Sequence, residues 1–183
     1  MCLRYSLPKL ALAAFNEDLG EAAEMAGDWA LGYNIALTRR MPVLVKRPKP
    51  KLEALSFGLL LPARPPGHKP LIMGNARLPH YFTLQDRRPF FFAGLWEPER
   101  DDTPAAFCIV TTTANALLQP IHDRMPVILG PNSGPAWLGD EPLDPAQLAR
   151  LCRPLPAEMM TGHRVDPRVN NVRYEAPDCI TPI

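Results

Sequence analysis

The groups most ready to do chemistry stand at the start of the chain, where Cys2 directly follows Met1 in Met1-Cys2-Leu3-Arg4-Tyr5-Ser6. Methionine removal favours a small second residue, and its loss here would leave an α-amine and a thiol on one residue. An α-amine titrates near ~7.7–8.0 and a thiol near ~8.5, so a useful fraction of each is unprotonated at neutral pH. An aldehyde meeting that pair forms an imine, which the thiol then closes into a thiazolidine ring. Position alone favours a plainer reading, in which Cys2 opens a strand as a small buried hydrophobe. The other candidates are His122, in Ile121-His-Asp-Arg-Met-Pro-Val127, and Asn75 and Arg77, in Gly74-Asn-Ala-Arg77. An imidazole titrates near ~6.5 and so moves protons at neutral pH. Yet His122 also suits the end of a short helix, Asn75 a turn, and Arg77 an exposed charge.

Composition bounds the elements that must position these groups. A chain of 183 residues with 46% hydrophobic content fits one domain, 1–183, with a real core. A net charge of +1 advertises no polyanion partner, so nucleic-acid binding would rest on a local basic patch. The cysteines at 2, 108, 152 and 179 form no CxxC pair and no zinc spacing, so no metal or other cofactor is expected. The N-terminus lacks a signal-peptide pattern, which points to reducing cytoplasm. No apolar run approaches the roughly 18 residues that span a bilayer. The 23 prolines imply short elements joined by rigid turns.

Along the chain, Cys2 to Leu7 alternates as a strand does, and Pro8 suits the first turn of a helix carrying Leu10, Ala13, Ala14 and Leu19 on one face. Trp29 to Ala36 reads as an extended entry into the core. Strands follow at Met41 to Val45 and Leu55 to Leu61, separated by the basic run Lys46-Arg-Pro-Lys-Pro-Lys51, a solvated loop by default and otherwise a phosphate contact. Tyr81-Phe-Thr-Leu, the polar turn Gln85-Asp-Arg-Arg and Phe90 to Trp96 together suggest a hairpin. Ala106 to Thr112 is an apolar, β-branched strand, followed by a short helix from Ala114. Asp144 then caps a helix with Pro145 at its first position. The expected class is α+β: one β-rich domain with a twisted antiparallel, barrel-like sheet and short peripheral helices.

Met1-Cys2-x-Arg4-Tyr5, Asn75-Ala76-Arg77 and Ile121-His-Asp-Arg-Met-Pro-Val127, in that order, resemble the SOS-response-associated peptidase family, whose members trap abasic sites in single-stranded DNA. Tyr33-Asn-Ile-Ala, Phe92-Ala-Gly-Leu-Trp-Glu97, Val110-Thr-Thr-Thr-Ala-Asn115 and Arg168-Val-Asn-Asn-Val-Arg173 resemble it too, so the likeness covers most of the chain. It implies a cleft for single-stranded DNA with Cys2 at its floor, capturing the open-chain aldehyde of an abasic deoxyribose as a thiazolidine. By the same resemblance Asn75 hydrogen-bonds near the reacting centre, His122 shuttles protons to and from the sugar oxygen, and Arg4, Arg77 and Arg124 fork onto phosphates. It further implies cleavage of the bond after Met1, hence peptidase, hydrolase and lyase character, in a monomer. His68, His80 and His163 match no motif and are assigned to structure.

The chain departs from that pattern in one large respect. Only Leu78 to Phe91 separate the Asn-Ala-Arg motif from the Phe-Ala-Gly-Leu-Trp-Glu strand, where family members carry a helix, a strand and a catalytic glutamate followed by tryptophan. Asp86 is the sole acidic residue in that interval, and Glu97 reads as structural. Leu3 replaces a family glycine, Arg77-Leu-Pro-His replaces Arg-Ser-Glu-Thr, and the tryptophan expected after Leu61-Pro62 is absent, removing a base-stacking platform. Ring opening and Met1 release that are slow or absent are therefore expected. Two other functions fit the residues: a DNA- or partner-binding descendant without catalysis, and an amidohydrolase using Cys2 as an N-terminal nucleophile. Intact-mass measurement separates them in part. Loss of Met1 is the expected result, whereas retained Met1 would block the amine and favour the non-catalytic descendant.

Overall fold

The computed structural model describes residues 4–7, 31–37, 39–46, 50–58, 78–100, 104–130 and 133–183. Within them the chain forms β1 (Arg4–Leu7), β2 (Gly32–Ala36), β3 (Arg40–Lys46), β4 (Pro50–Phe57), β5 (His80–Leu84), β6 (Phe91–Phe92), β7 (Gly94–Glu97), β8 (Ala106–Ile109), β9 (Thr111–Thr113), β10 (Arg124–Pro126), β11 (Ile128–Leu129) and β12 (Met160–Arg164). Short helices occupy Ser133–Trp137 and Pro145–Leu151, with single 3₁₀ turns at Ala157–Met159, Pro167–Asn170 and Pro177–Ile180. The class is α+β and β-rich, as the residue pattern predicts.

The barrel-like sheet is not what forms. Among the described residues the strands make one four-stranded sheet, ordered β3-β4-β8-β7, and four two-stranded ones: β1-β2, β9-β10, β6-β11 and β5-β12. No sheet closes on itself, and β4 runs parallel to β8 through Ser56↔Ala106 and Phe57↔Phe107. The cause lies in three single residues. Ala93 separates β6 from β7, Val110 separates β8 from β9, and Val127 separates β10 from β11. At each, the strand leaves one partner for another. The freed backbone groups pair with one another in a ring: Ala93 N–H donates to Val127 O, Val127 N–H to Val110 O, and Val110 N–H to Ala93 O, each at 2.9 Å. Ala93 and Val127 are fully buried, where an unpaired amide would carry a large desolvation cost.

Alternation explains which faces are buried. Met41 and Val45 of β3, Leu55 and Phe57 of β4, Ile35 of β2 and Phe107 of β8 form one core cluster, against which Tyr5 and Leu7 pack. Tyr5 meets Phe57 edge-on with centroids 5.4 Å apart, and burial pushes its phenol pKa upward. A second cluster, around Leu118, Met125, Ile128 and Met160, lies beneath β5 and β6.

Three local expectations are corrected. The hairpin read across Gln85–Arg88 does not form: β5 pairs with β12, from Met160↔Leu84 to Arg164↔His80, and β6 pairs with β11. The turn itself is real, with Arg87 at φ 58°, but Gln85 bonds to Met159 O and Met160 O on the other side. A turn fixes where the chain bends and not which strand accepts it. Gly162 suits the observed pairing, because the Phe82 ring lies where a Cβ would stand, 2.4 Å from its Cδ1. Second, the segment after Ala114 is a run of turns and not a helix: Asn115 closes its first turn through the Leu117 and Leu118 amides, and Pro120 cannot continue a helix beyond it. Third, β4 begins at Pro50, inside the basic run, and ends at Phe57. The helix capped by Asp144 forms as read, with a reciprocal capping box to Gln147. The helix expected after Pro8 lies outside the described residues.

The ring of three makes the junction one cooperative unit. Its amides at positions 93, 110 and 127 should exchange with solvent deuterium through the slowest openings in the protein. Exchange at these sites as fast as at the Arg87 amide, in its exposed turn, would show that the junction does not hold the strands together.

Candidate functional site

β9 and β10 form a short antiparallel ribbon leaving the junction, with Arg124↔Thr113, Met125↔Thr112 and Pro126↔Thr111 in register. Met125 faces inward and is buried, so alternation leaves Arg124 and Thr113 exposed on the opposite face. Arg124 Nη2 donates to the Thr111 carbonyl and, at 3.0 Å, to Thr111 Oγ1. This orients one edge of the guanidinium along the ribbon. His122 is at the ribbon's tip, with its side chain 49% exposed. Its Nδ1 accepts the Arg124 amide at 3.0 Å when unprotonated and, when protonated, faces Asp123 Oδ1 at 2.8 Å, so both contacts hold one edge of the ring.

The tip is held by a buried asparagine. Asn115 Oδ1 accepts the amides of Leu117 and Leu118, both at 3.1 Å, and Nδ2 donates to Leu155 O at 2.7 Å. Leu118 O in turn accepts the amides of Ile121 and His122, and Ala114 N–H donates to Asp123 O at 2.9 Å, closing the loop. The backbone from Asn115 to Asp123 is thereby fixed without a helix.

A second polar hub joins the first strand to the end of the chain. Asn34, 5% exposed on β2, reaches three carbonyls with Nδ2: Val169 O and Asn171 O at 3.1 Å and Tyr174 O at 2.7 Å. Its Oδ1 accepts Arg4 Nη1 at 3.1 Å, and Arg4 Nη2 donates to Asn170 O at 2.7 Å. Burial draws the Arg4 guanidinium below its ordinary pKa, opposed by nearby Cys179. Glu175 completes the clasp by accepting the amides of Tyr33 and Asn34. It lies directly over Gly32, where a Cβ would be 2.6 Å from Oε2, so a larger residue there would push the carboxylate aside. Outside the clasp, Arg168 is over the Tyr174 ring and bridges Asp166 and Asp178.

Of the residues expected to act, Arg4, His122 and Arg124 are therefore on the page. Arg4 is bound into the β2 clasp, while His122 and Arg124 share the β9-β10 ribbon. Cys2, Asn75 and Arg77 lie outside the described residues. His80 Nδ1 is 2.9 Å from Leu78 O, and His163 Nε2 is 2.9 Å from Ile180 O, in keeping with structural duties. Glu97 ends β7 opposite Ala106, and Lys46 of the basic run pairs with Asp140 at 2.8 Å. Asn34, Asn115 and Glu175 were not picked out from sequence as site builders. The available signal was an asparagine inside an apolar, strand-like run, a placement that demands buried partners. Among the described residues no group of three or more His, Cys, Asp or Glu could hold a metal, and no helix is long and apolar enough to cross a membrane.

An α+β fold of small sheets, with an exposed His-Asp-Arg tip and an N-terminal strand clasped by the chain's end, defines a class that comparison with known proteins specifies. The model of the SOS response associated peptidase (SRAP) family matches residues 72–172, and the chain belongs to that family. Abasic site processing protein YoqW of Bacillus subtilis is 30% identical over 158 residues, spanning 85% of this chain and 70% of the relative. Abasic site processing protein YedK of Escherichia coli is 29% identical over 114 residues, 60% of this chain and 51% of the relative. A protein from Bacteroides thetaiotaomicron, solved by crystallography, shares the fold over the full length of both chains with a TM-score of 0.71 at 19% identity. One from Bordetella bronchiseptica shares the fold with a TM-score of 0.67 at 17% identity, covering 90% of this chain and 100% of the other.

The Asn34 hub predicts a large stability loss for Asn34→Ala. Three buried or half-buried carbonyls and one guanidinium would lose a partner, at a cost on the order of 3 kcal/mol. Urea unfolding measures it, and a midpoint matching the parent protein would show that the clasp contributes little.

Proposed function

We propose that this chain processes abasic sites in single-stranded DNA, capturing the lesion covalently through Cys2. The observation that carries the reading is family membership together with a 30%-identical abasic site processing relative aligned over 85% of the chain. In the proposed reaction Met1 is removed first, by autoproteolysis. The Cys2 amine then adds to the C1′ aldehyde of the opened deoxyribose and expels water as an imine forms. The Cys2 sulfur adds to the imine carbon, and the nitrogen takes up a proton as the thiazolidine closes. His122 carries protons to and from the sugar oxygen, and Asn75 hydrogen-bonds near the reacting carbon. Arg4, Arg77 and Arg124 contact phosphates. What supports the roles of His122 and Arg124 is their placement, His122 exposed beside an Arg124 that Thr111 orients. Arg4, by contrast, already donates to Asn34 and Asn170, so its contribution to DNA runs through the strand it anchors as well as through charge. The protein is proposed to work as one domain over 1–183, as a cytoplasmic monomer without cofactor or metal.

A second reading, a DNA- or partner-binding descendant without catalysis, is favoured by one observation. The short interval between Leu78 and Phe91 holds no carboxylate except Asp86, and Asp86 Oδ1 already accepts the Arg88 amide in an exposed turn.

Incubation with single-stranded DNA containing one abasic site is expected to give a band shifted on denaturing gels, abolished by Cys2→Ala. His122→Ala should slow its formation by roughly 10²–10⁴-fold, the usual cost of removing a general acid–base group. Absence of the shifted band from protein shown to have lost Met1 would leave the binding-only descendant as the correct reading.

A further inference from the structure

We infer that Asn115 is a positioning residue for His122, setting where the imidazole stands when it moves protons; this rests on the role proposed for His122 above. Asn115 is only 8% exposed and lies seven positions before His122, so it meets neither DNA nor solvent. Its influence passes through one residue. The Asn115 carboxamide and carbonyl both accept the Leu118 amide, at 3.1 and 3.2 Å, and the Leu118 carbonyl accepts the His122 amide at 3.0 Å. Leu118 is itself anchored by burial in the core beside Met125. On the other side, the Ala114 amide next to Asn115 holds Asp123 O at 2.9 Å. Asn115 thus fixes the middle of the 115–123 loop, and its neighbour Ala114 fixes the end.

The carboxamide is chemically required. Its oxygen must accept two amides, and its nitrogen must donate to Leu155 O at 2.7 Å. Aspartate would set a second acceptor against Leu155 O. Alanine would remove the acceptor of the Leu117 and Leu118 amides and the donor to Leu155 O, loosening the turn that places His122. Serine keeps a hydroxyl that accepts local amides, a weaker version of the same turn.

Single-turnover crosslinking to abasic single-stranded DNA tests this with the full chain carrying His122→Ala, Asn115→Ala, Asn115→Ser and the double change Asn115→Ala with His122→Ala. Asn115→Ala should slow capture by about 10- to 100-fold, as expected when a reacting group is displaced by an ångström or so. Asn115→Ser should recover part of that loss. The double variant should be no slower than His122→Ala alone, because a positioning residue has no effect once its client is gone. Multiplied losses in the double variant, or full-rate Asn115→Ala, would overturn the inference. If Asn115→Ala does not fold, judged by near-ultraviolet circular dichroism, Asn115→Ser alone and combined with His122→Ala completes the same cycle. A second readout needs no catalysis: the His122 ring resonances should be single and sharp in the parent protein, and displaced or multiple in Asn115→Ser. Unmoved resonances would refute the positioning role. A wild-type rate in His122→Ala would instead strike at the proposed function, and at this inference with it.

Discussion

Three backbone amides donating around a closed ring, those of Ala93, Val110 and Val127, decide how the strands are shared out. A strand that leaves one partner for another strands one N–H and one carbonyl at the point of departure. In a core that is costly, and a single strand doing so would have to find water or a side chain. Here three strands part at the same place and satisfy one another. Each half-strand is then committed: β6 to β11, β7 to β8, and β9 to β10. The tip bearing His122 and Arg124 is the far end of the β9-β10 arm, so a rigid junction in the core becomes a defined position at the surface.

Two buried asparagines extend that rigidity into segments with no regular structure. Asn115 organises a turn next to the tip, and Asn34 gathers the C-terminal segment onto β2 and, through Arg4, onto β1. Both do what a carboxamide does better than any other side chain, donating and accepting at once among backbone groups that belong to no sheet. The cost of burying them is offset only because every polar atom finds a partner. This accounts for two family-like motifs far apart in sequence, Tyr33-Asn-Ile-Ala and Arg168-Val-Asn-Asn-Val-Arg173: they are the two halves of one clasp.

The clasp also changes the meaning of Arg4. As a free arginine near the N-terminus it reads as a phosphate ligand, but two of its terminal N–H groups are spent on Asn34 and Asn170. Arg124 is differently placed, exposed and held by Thr111 along one edge. Two arginines that look alike in sequence thus differ in burial, Arg4 being half-buried in the clasp and Arg124 exposed on the ribbon.

The sequence by itself determined the strand-rich class, the positions of most described strands, the capped helix at Asp144 and the family, because these depend on alternation, on local capping chemistry and on ordered motifs. His122 and Arg124 stood out only through the ordered motifs shared with the family, since residue type alone suits His122 equally to the end of a short helix. The sequence did not determine partners. The run at Tyr81–Leu84 was legible as a strand, yet its pairing with β12 in place of the adjacent Phe91–Phe92 rests on contacts some 80 residues away, which no local pattern encodes. The alanines and leucines after Ala114 favour a helix, yet Asn115 ties the segment to Leu155 O and Pro120 stops it after one turn, so turns form instead. Only tertiary structure decided that Ala93, Val110 and Val127 break their strands together, because an unpaired amide is satisfied by whatever lies beside it in space, and sequence order does not say what that is.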